Sequence, residues 1–382
     1  MFNRTVMAGA SSSENPQPEA DEEVPDGLVS DSHDDGVELQ GTGHPDSPSR
    51  PFEDEFIDSD EDYASDYTMP DPTTLFRHEN GRQYSIGPHP LPNDELGLAY
   101  MEAVAYLFRK ALSQHMPDNL VLSSGSAMDG GENADDKPLN VLRVAAGRGE
   151  WAIAFADIHP FSNVTALEVA PIFATDWVPP NCRFLIQPND KTQKGRWSRP
   201  FDLVNLGLGC FAGQEIINHA FRYLVPGGRI EIERIVLTPE PDDPADATDP
   251  VYTNSRLWTW SRLVNEGMIA VGYPIHDTAE HERMLHAAGF VDIRTTDLSS
   301  RRASSSSPPT EGDANIRVET VIAAHLEGIS MTPLTRGLGW SKEQVVAMCP
   351  AVREEILGSG SGPRLRIHFP MFMCTGLKPT EG

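Results

Sequence analysis

The sequence predicts an α/β fold built on a parallel sheet. From residue 139 onward, apolar runs of strand length alternate with stretches of helical spacing, the pattern of βαβ units. The first run, Leu139-Asn-Val-Leu-Arg-Val144, breaks into Ala145-Ala-Gly-Arg-Gly149 and passes directly into a helical pattern. A strand, a turn of small residues and a helix N-terminus form a corner at which backbone N–H groups can meet an anion. The second run ends in an acid, Glu168, 19 residues after Gly149, where a carboxylate can accept both hydroxyls of a ribose. Each feature alone also fits a plain strand end, so the weight lies in their combination.

The first seventy residues stand apart. They hold 19 Asp+Glu against 2 Lys+Arg, a net of −17 in a chain whose total is −27. Rich in Ser, Pro and Gly, they bury too little apolar surface to offset an ordering entropy of roughly 1–2 kcal/mol per residue. Segment 1–70 is read as a disordered acidic tail, either solubilising or a docking segment for a basic regulatory partner. Residues 71–382 form the folded domain. The acidic balance argues against direct nucleic-acid binding, which needs Lys and Arg against phosphates. No window of ~18 apolar residues exists for a membrane span, and no signal pattern opens the chain. Cys182, Cys210, Cys349 and Cys374 lie far apart, which fits reduced thiols in an intracellular protein and no metal centre.

In order, a polar-aromatic segment, Phe76–Tyr84, turns at Asn80-Gly81. Asn93 or Asp94 caps a helix from Glu95, whose Leu98, Met101, Ala105 and Phe108 share one face, giving a helical cap over about 90–115. Residues 123–137 make a flexible surface loop. Strands follow at Asn140–Val144, Asn163–Glu168, Cys182–Ile186, Phe201–Leu206 and Arg229–Val236, with helices at Glu150–Ile158 and Gln214–Leu224. The second of these helices stops at Pro226-Gly-Gly228. An acidic insertion, Pro239–Pro250, precedes helices at Asn254–Ile269 and Ala279–Ala288, then a strand at Phe290–Thr295. A flexible Ser/Arg/Pro loop covers about 299–312. Helices Asn315–Ile329 and Ser341–Leu357 and a last strand, Arg364–Thr375, complete the chain.

Several segments carry a resemblance. These are Glu79-Asn-Gly-Arg-Gln-Tyr84, Leu91-Pro-Asn-Asp94, Trp151-Ala-Ile-Ala-Phe-Ala156, Trp177-Val-Pro-Pro-Asn181, Ala220-Phe-Arg-Tyr-Leu224 with Pro226-Gly-Gly228, Ala288-Gly-Phe-Val291 and Leu338-Gly-Trp-Ser341. With them the chain, over roughly residues 75–379, resembles the class I S-adenosylmethionine-dependent methyltransferases. More narrowly, it is similar to the fungal LaeA-like family tied to secondary metabolism. The resemblance implies a Rossmann-like seven-stranded sheet with helices on both faces and an antiparallel last strand. It implies S-adenosyl-L-methionine as cofactor, a small-molecule or protein acceptor, and a cytoplasmic or nuclear location. Carried over by position, Ala145, Gly147 and Gly149 border the methionine part, and Glu168 holds the ribose. Gln187 and Asp190 face the adenine, and Leu206 to Cys210 face the donor from the other side. Methyl transfer from a sulfonium is mainly a matter of positioning, so no obligatory base is required.

The chain departs from that family at the loop. Arg143 stands where the family has an acid that orders the loop and the donor's ammonium end. Ala145 stands in place of the first glycine, and Gln187-Pro188 in place of paired acids. Ala105-Tyr106 stands where a His pair is expected. These departures leave a second reading open, a non-catalytic regulatory or scaffold protein on the same fold. Arg148 can pair with a carboxylate, His219 falls near the donor face by topology, and Trp258 and Trp260 either pack in the core or line an acceptor pocket.

Overall fold

Seven strands form the central sheet, in an order that returns on itself twice. In the computed structural model of the chain, residues 75–86, 89–115, 138–173, 177–186, 197, 199–210, 213–273, 275–299, 317–359 and 365–380 are described. The acidic segment 1–70 and the loop 123–137 lie outside them, as does the loop 299–312 beyond Ser299.

Two short strands, β1 (Phe76–Glu79) and β2 (Arg82–Ser85), form an antiparallel hairpin around Asn80-Gly81, both at positive φ. Helix α1 (Glu95–His115) follows. The sheet strands are β3 (Asn140–Val144), β4 (Asn163–Glu168), β5 (Cys182–Ile186), β6 (Phe201–Leu206) and β7 (Leu224–Ile235). A two-residue strand β8 (Glu240–Pro241) precedes β9 (Val291–Asp297), and β10 (Ile367–His368) precedes β11 (Met371–Leu377). The helices between them are α2 (Glu150–Ile158), α3 (Gln214–Tyr223), α4 (Pro250–Thr253), α5 (Arg256–Ala270), α6 (Thr278–Ala288), α7 (Val318–Thr332) and α8 (Lys342–Leu357). The sheet runs β5-β4-β3-β6-β7-β11-β9, with β11 antiparallel to both neighbours. This is the class I methyltransferase architecture.

Strand alternation sends Leu142, Val204, Leu206, Phe372 and Cys374 to one face, where α3 and α6 contribute Ile217, Ala220 and Leu285. The opposite face meets two helical layers. Val141, Val164 and Leu203 pack on Ala152, Phe155 and Ala156 of α2. Met371 and Met373 pack with Trp260 of α5 and Ile322 and Leu326 of α7. Between these layers the central strands present Arg143, Asn205, Glu231 and Glu233, all buried.

The Trp177-Val-Pro-Pro-Asn181 signature has a structural explanation at its last residue. The Asn181 amide donates to the carbonyls of Ala156, His159 and Ser162 at 3.0–3.1 Å, closing the C-terminus of α2 onto the start of β5.

Among the boundaries that differ from the sequence expectation, three change the architecture. Pro226-Gly-Gly228 lies inside β7 as a bulge: Phe201 pairs with Leu224, and the register then jumps to Leu203 with Arg229. Gly227 takes φ +81° there. The last strand is divided, because Ile367–His368 pairs with Glu240–Pro241 and the sheet strand begins only after Pro370. Helix α7 runs past Ile329 to Thr332 and widens into a π-turn at Pro333–Gly337. Proline at the first position of such a turn has no N–H to leave unsatisfied.

Candidate functional site

The turn after β3 is a left-handed corner. Ala145, Gly147 and Gly149 have φ of +55°, +61° and +96°. Gly149 is obligatory on a second ground, since a Cβ there would lie 2.5 Å from the Phe184 ring. Ala145 holds a glycine-type conformation with a methyl group attached, at a cost of roughly 1–2 kcal/mol. The corner is fixed by Ala146 N–H donating to the Leu167 carbonyl at 3.0 Å and Gly149 N–H donating to the Ala146 carbonyl at 3.1 Å.

Glu168 closes the corner from β4. One carboxylate oxygen accepts the Gly147 N–H and the other the Val169 N–H, both at 2.8 Å. Burial pushes its pKa up to about 6, against the opposing pull of those two N–H groups and of the Arg143 charge.

Above the corner lies a cavity at the C-terminal ends of β3, β4 and β6, where ligands sit in open α/β sheets. Ala145, Gly147 and Glu168 form its floor, and Met101 and Val104 of α1 form its roof. The roof is tied down from both sides. Arg148 of the corner pairs with Glu102 of α1 at 2.7 Å. Asp94 accepts the Gly97 N–H at the start of α1 and both arms of Arg82, at 2.5 and 2.7 Å.

Arg143 is not a stray charge. Its Nη1 and Nη2 donate to the two oxygens of Glu233 at 2.6 and 2.9 Å, and Nη1 also donates to the Asn205 amide oxygen. The Asn205 amide nitrogen donates in turn to Glu231 at 3.0 Å. Burial raises the Glu231 pKa. The guanidinium carbon lies 5.1 Å from the Trp151 ring centroid and packs so closely on Gly207 that a Cβ there would lie 2.7 Å from it.

The positions singled out in the sequence are therefore distributed as follows. Ala145, Gly147 and Glu168 line the cavity; Gly149 supports the corner from behind. Leu206 points into the opposite core, and its neighbours Leu208 and Gly209 reach the cavity instead, because strand alternation turns Leu206 away. Gln187 and Asp190 lie outside the described residues. His219 does not line the cavity; it packs in an aromatic group with Trp197 and Tyr223 on α3. Trp258 and Trp260 do not line it either. Trp260 is core, with its indole N–H donating to Ser330 at 2.8 Å.

Sequence reading missed Asn205, Glu233 and the cavity residues His89 and Arg234. The available signal was Glu231 and Glu233 on one face of a central strand, where buried acids require partners. His89 stands beside Tyr273 with its Nδ1 3.3 Å from the Leu91 carbonyl, and burial lowers its pKa. Arg234 donates to the Cys210 carbonyl. Among the described residues no cluster of His, Cys, Asp or Glu is arranged to hold a metal ion, and no helix is long and apolar enough to cross a membrane.

No family model matches the chain. Curated relatives do. It is 24% identical over 245 residues to the probable methyltransferase tdiE of Emericella nidulans, covering 63% of this chain and 73% of that one. It is 24% identical over 295 residues to the secondary metabolism regulator laeA of Aspergillus flavus, covering 73% and 72%. It is 23% identical over 294 residues to the protein-methionine methyltransferase laeA of Emericella nidulans, covering 73% and 71%. In its sheet order and in these similarities, the chain resembles the fungal LaeA-like class I methyltransferases.

Proposed function

We propose that the chain is an S-adenosylmethionine-dependent methyltransferase of the LaeA-like type, acting on a small molecule or a protein side chain and linked to secondary metabolism. One observation carries this reading: the buried Glu168 carboxylate faces a left-handed corner at the floor of a cavity under α1. The residues present fit the donor. A carboxylate whose burial already penalises its charge gains from two ribose hydroxyls. At Gly147 a Cβ would meet Met101 Cε in ordinary van der Waals contact at 3.9 Å, so it is the left-handed φ of +61°, not lack of space, that suits glycine there.

When bound, the donor would supply an electrophilic methyl group on a sulfonium to an acceptor heteroatom. Glu168, held by the Gly147 N–H, would hold the ribose of the nucleoside, and the corner itself would border the methionine part. Met101, Val104 and Leu208 would keep water from the reacting atoms. The departures at positions 143 and 145 do not collapse the site: Arg143 pairs through Nη1 and Nη2 with Glu233, and Ala145 adopts the conformation the corner needs.

Calorimetric titration of the full chain with S-adenosylhomocysteine tests the proposal. Binding is expected, and Glu168→Ala should weaken it about 10–100-fold, since hydrogen bonds to a charged group contribute ~1.5–3 kcal/mol. Absence of both heat and thermal stabilisation at millimolar ligand would sink it.

A further inference from the structure

We infer that Arg143 is the residue that receives the carboxylate at the amino-acid end of the donor, an inference that rests on the donor reading above. The guanidinium carries donors in a fixed planar fork. Nη1 and Nη2 are committed to Glu233, with Nη1 shared to Asn205. Nε, equally buried, has no hydrogen-bond partner among the described residues. Arg143 is 5% exposed, and it lines the same cavity as Gly147 and Glu168. Trp151 and Gly207 hold the guanidinium from two sides, so it cannot swing out to satisfy Nε elsewhere.

A buried N–H without an acceptor costs about 1–3 kcal/mol, and an anionic oxygen is the acceptor that recovers most. Glu168 takes the nucleoside end. The group left for Arg143 is then the amino-acid end, which carries one anion and one cation. Nε–H can donate to the carboxylate and offers no acceptor to the ammonium, so the donor at position 143 also sets the direction in which that end lies. Glu233 neutralises the cation without occupying Nε, and the N-terminus of α2, opening at Glu150 beside the corner, favours negative charge in the same place.

The test compares two ligands on the full chain by calorimetry: S-adenosylhomocysteine and its decarboxylated analogue S-adenosyl-3-thiopropylamine. They share the nucleoside, the thioether and the amine, and differ in the carboxylate. The wild-type protein should prefer the first by at least tenfold. Arg143→Lys puts a methylene where Nε stands and keeps a cation for Glu233. In that variant the preference should fall to about threefold or less, while the affinity for the decarboxylated ligand changes by less than about threefold. Arg143→Met with Glu233→Met, which removes the ion pair as a unit, should show the same loss of preference if the lysine variant folds poorly. A preference unchanged in a folded variant overturns the assignment, as does equal weakening of both ligands, which would mark Arg143 as structural only. If neither ligand binds the wild-type protein, the donor reading itself has failed and takes this assignment with it.

Discussion

Restoring an acid at position 143 illustrates what the tertiary structure changes. By sequence alone, Arg143→Asp looks like a repair of the loop. In the structure it places a third carboxylate beside Glu233 and Glu231 on a sheet face with almost no solvent. Removing one partner of a buried ion pair costs about 3–5 kcal/mol, because the other charge stays buried without compensation. Total stabilities are about 5–15 kcal/mol, so this change alone removes about a fifth or more. Arg143→Met should cost that amount, and Arg143→Asp more, through repulsion added to the lost pair. Arg143→Met with Glu233→Met should cost less than either single change, since a buried pair replaced by apolar groups of similar volume is often near neutral. The assay is urea unfolding of the four proteins in a double-mutant cycle, with a coupling of at least ~2 kcal/mol expected. A single-mutant loss below about 1 kcal/mol, or additive costs in the double variant, would refute the reasoning.

Three further outcomes are expected. Ala145→Gly relieves a methyl-bearing residue held at φ +55° and should raise stability by about 1 kcal/mol, read as a rise in melting temperature of a few degrees, with homocysteine-ligand affinity retained. Asn181→Ala removes three hydrogen bonds to carbonyls at the end of α2 and should cost on the order of 2 kcal/mol in the same melts, without the pH dependence expected at Glu168. For Glu168, the folded-state pKa of about 6 lies above the ordinary 4.5, so the folded chain binds its proton more tightly than the unfolded chain. The resulting stabilisation is present below pH 4.5 and lost as pH rises through 6, about 2 kcal/mol in all. Unfolding measured from pH 4 to 8 should therefore show Glu168→Gln gaining on wild type as pH rises. Affinity for S-adenosylhomocysteine should be flat above about pH 6.5 and fall as the carboxylate protonates below it; a pH-independent affinity would remove Glu168 from the site.

Sequence by itself determined the parts that depend on short-range physics. Apolar runs of strand length placed every strand of the central sheet, because parallel strands covered on both faces demand nearly continuous apolar residues over a short local stretch. Small residues after Val144 marked the corner, since only they tolerate its backbone, and Glu168 followed from its place at the end of the second strand. A cap at Asn93 or Asp94 was legible from their position before a helical face, and the structure selects Asp94.

Tertiary structure decided what depends on residues far apart in the chain. Arg143 and Glu233 are 90 positions apart, and whether an unexpected arginine breaks a site or completes a buried pair turns on the topology that sets β6 between β3 and β7. The same holds for Leu206, whose exclusion from the cavity follows from strand register, and for Trp260, buried against α7. The roof over the corner was visible only as an amphipathic helix. Its tether through Glu102 and Arg148 exists because the fold brings α1 over the C-terminal ends of the central strands, and no local pattern encodes that approach.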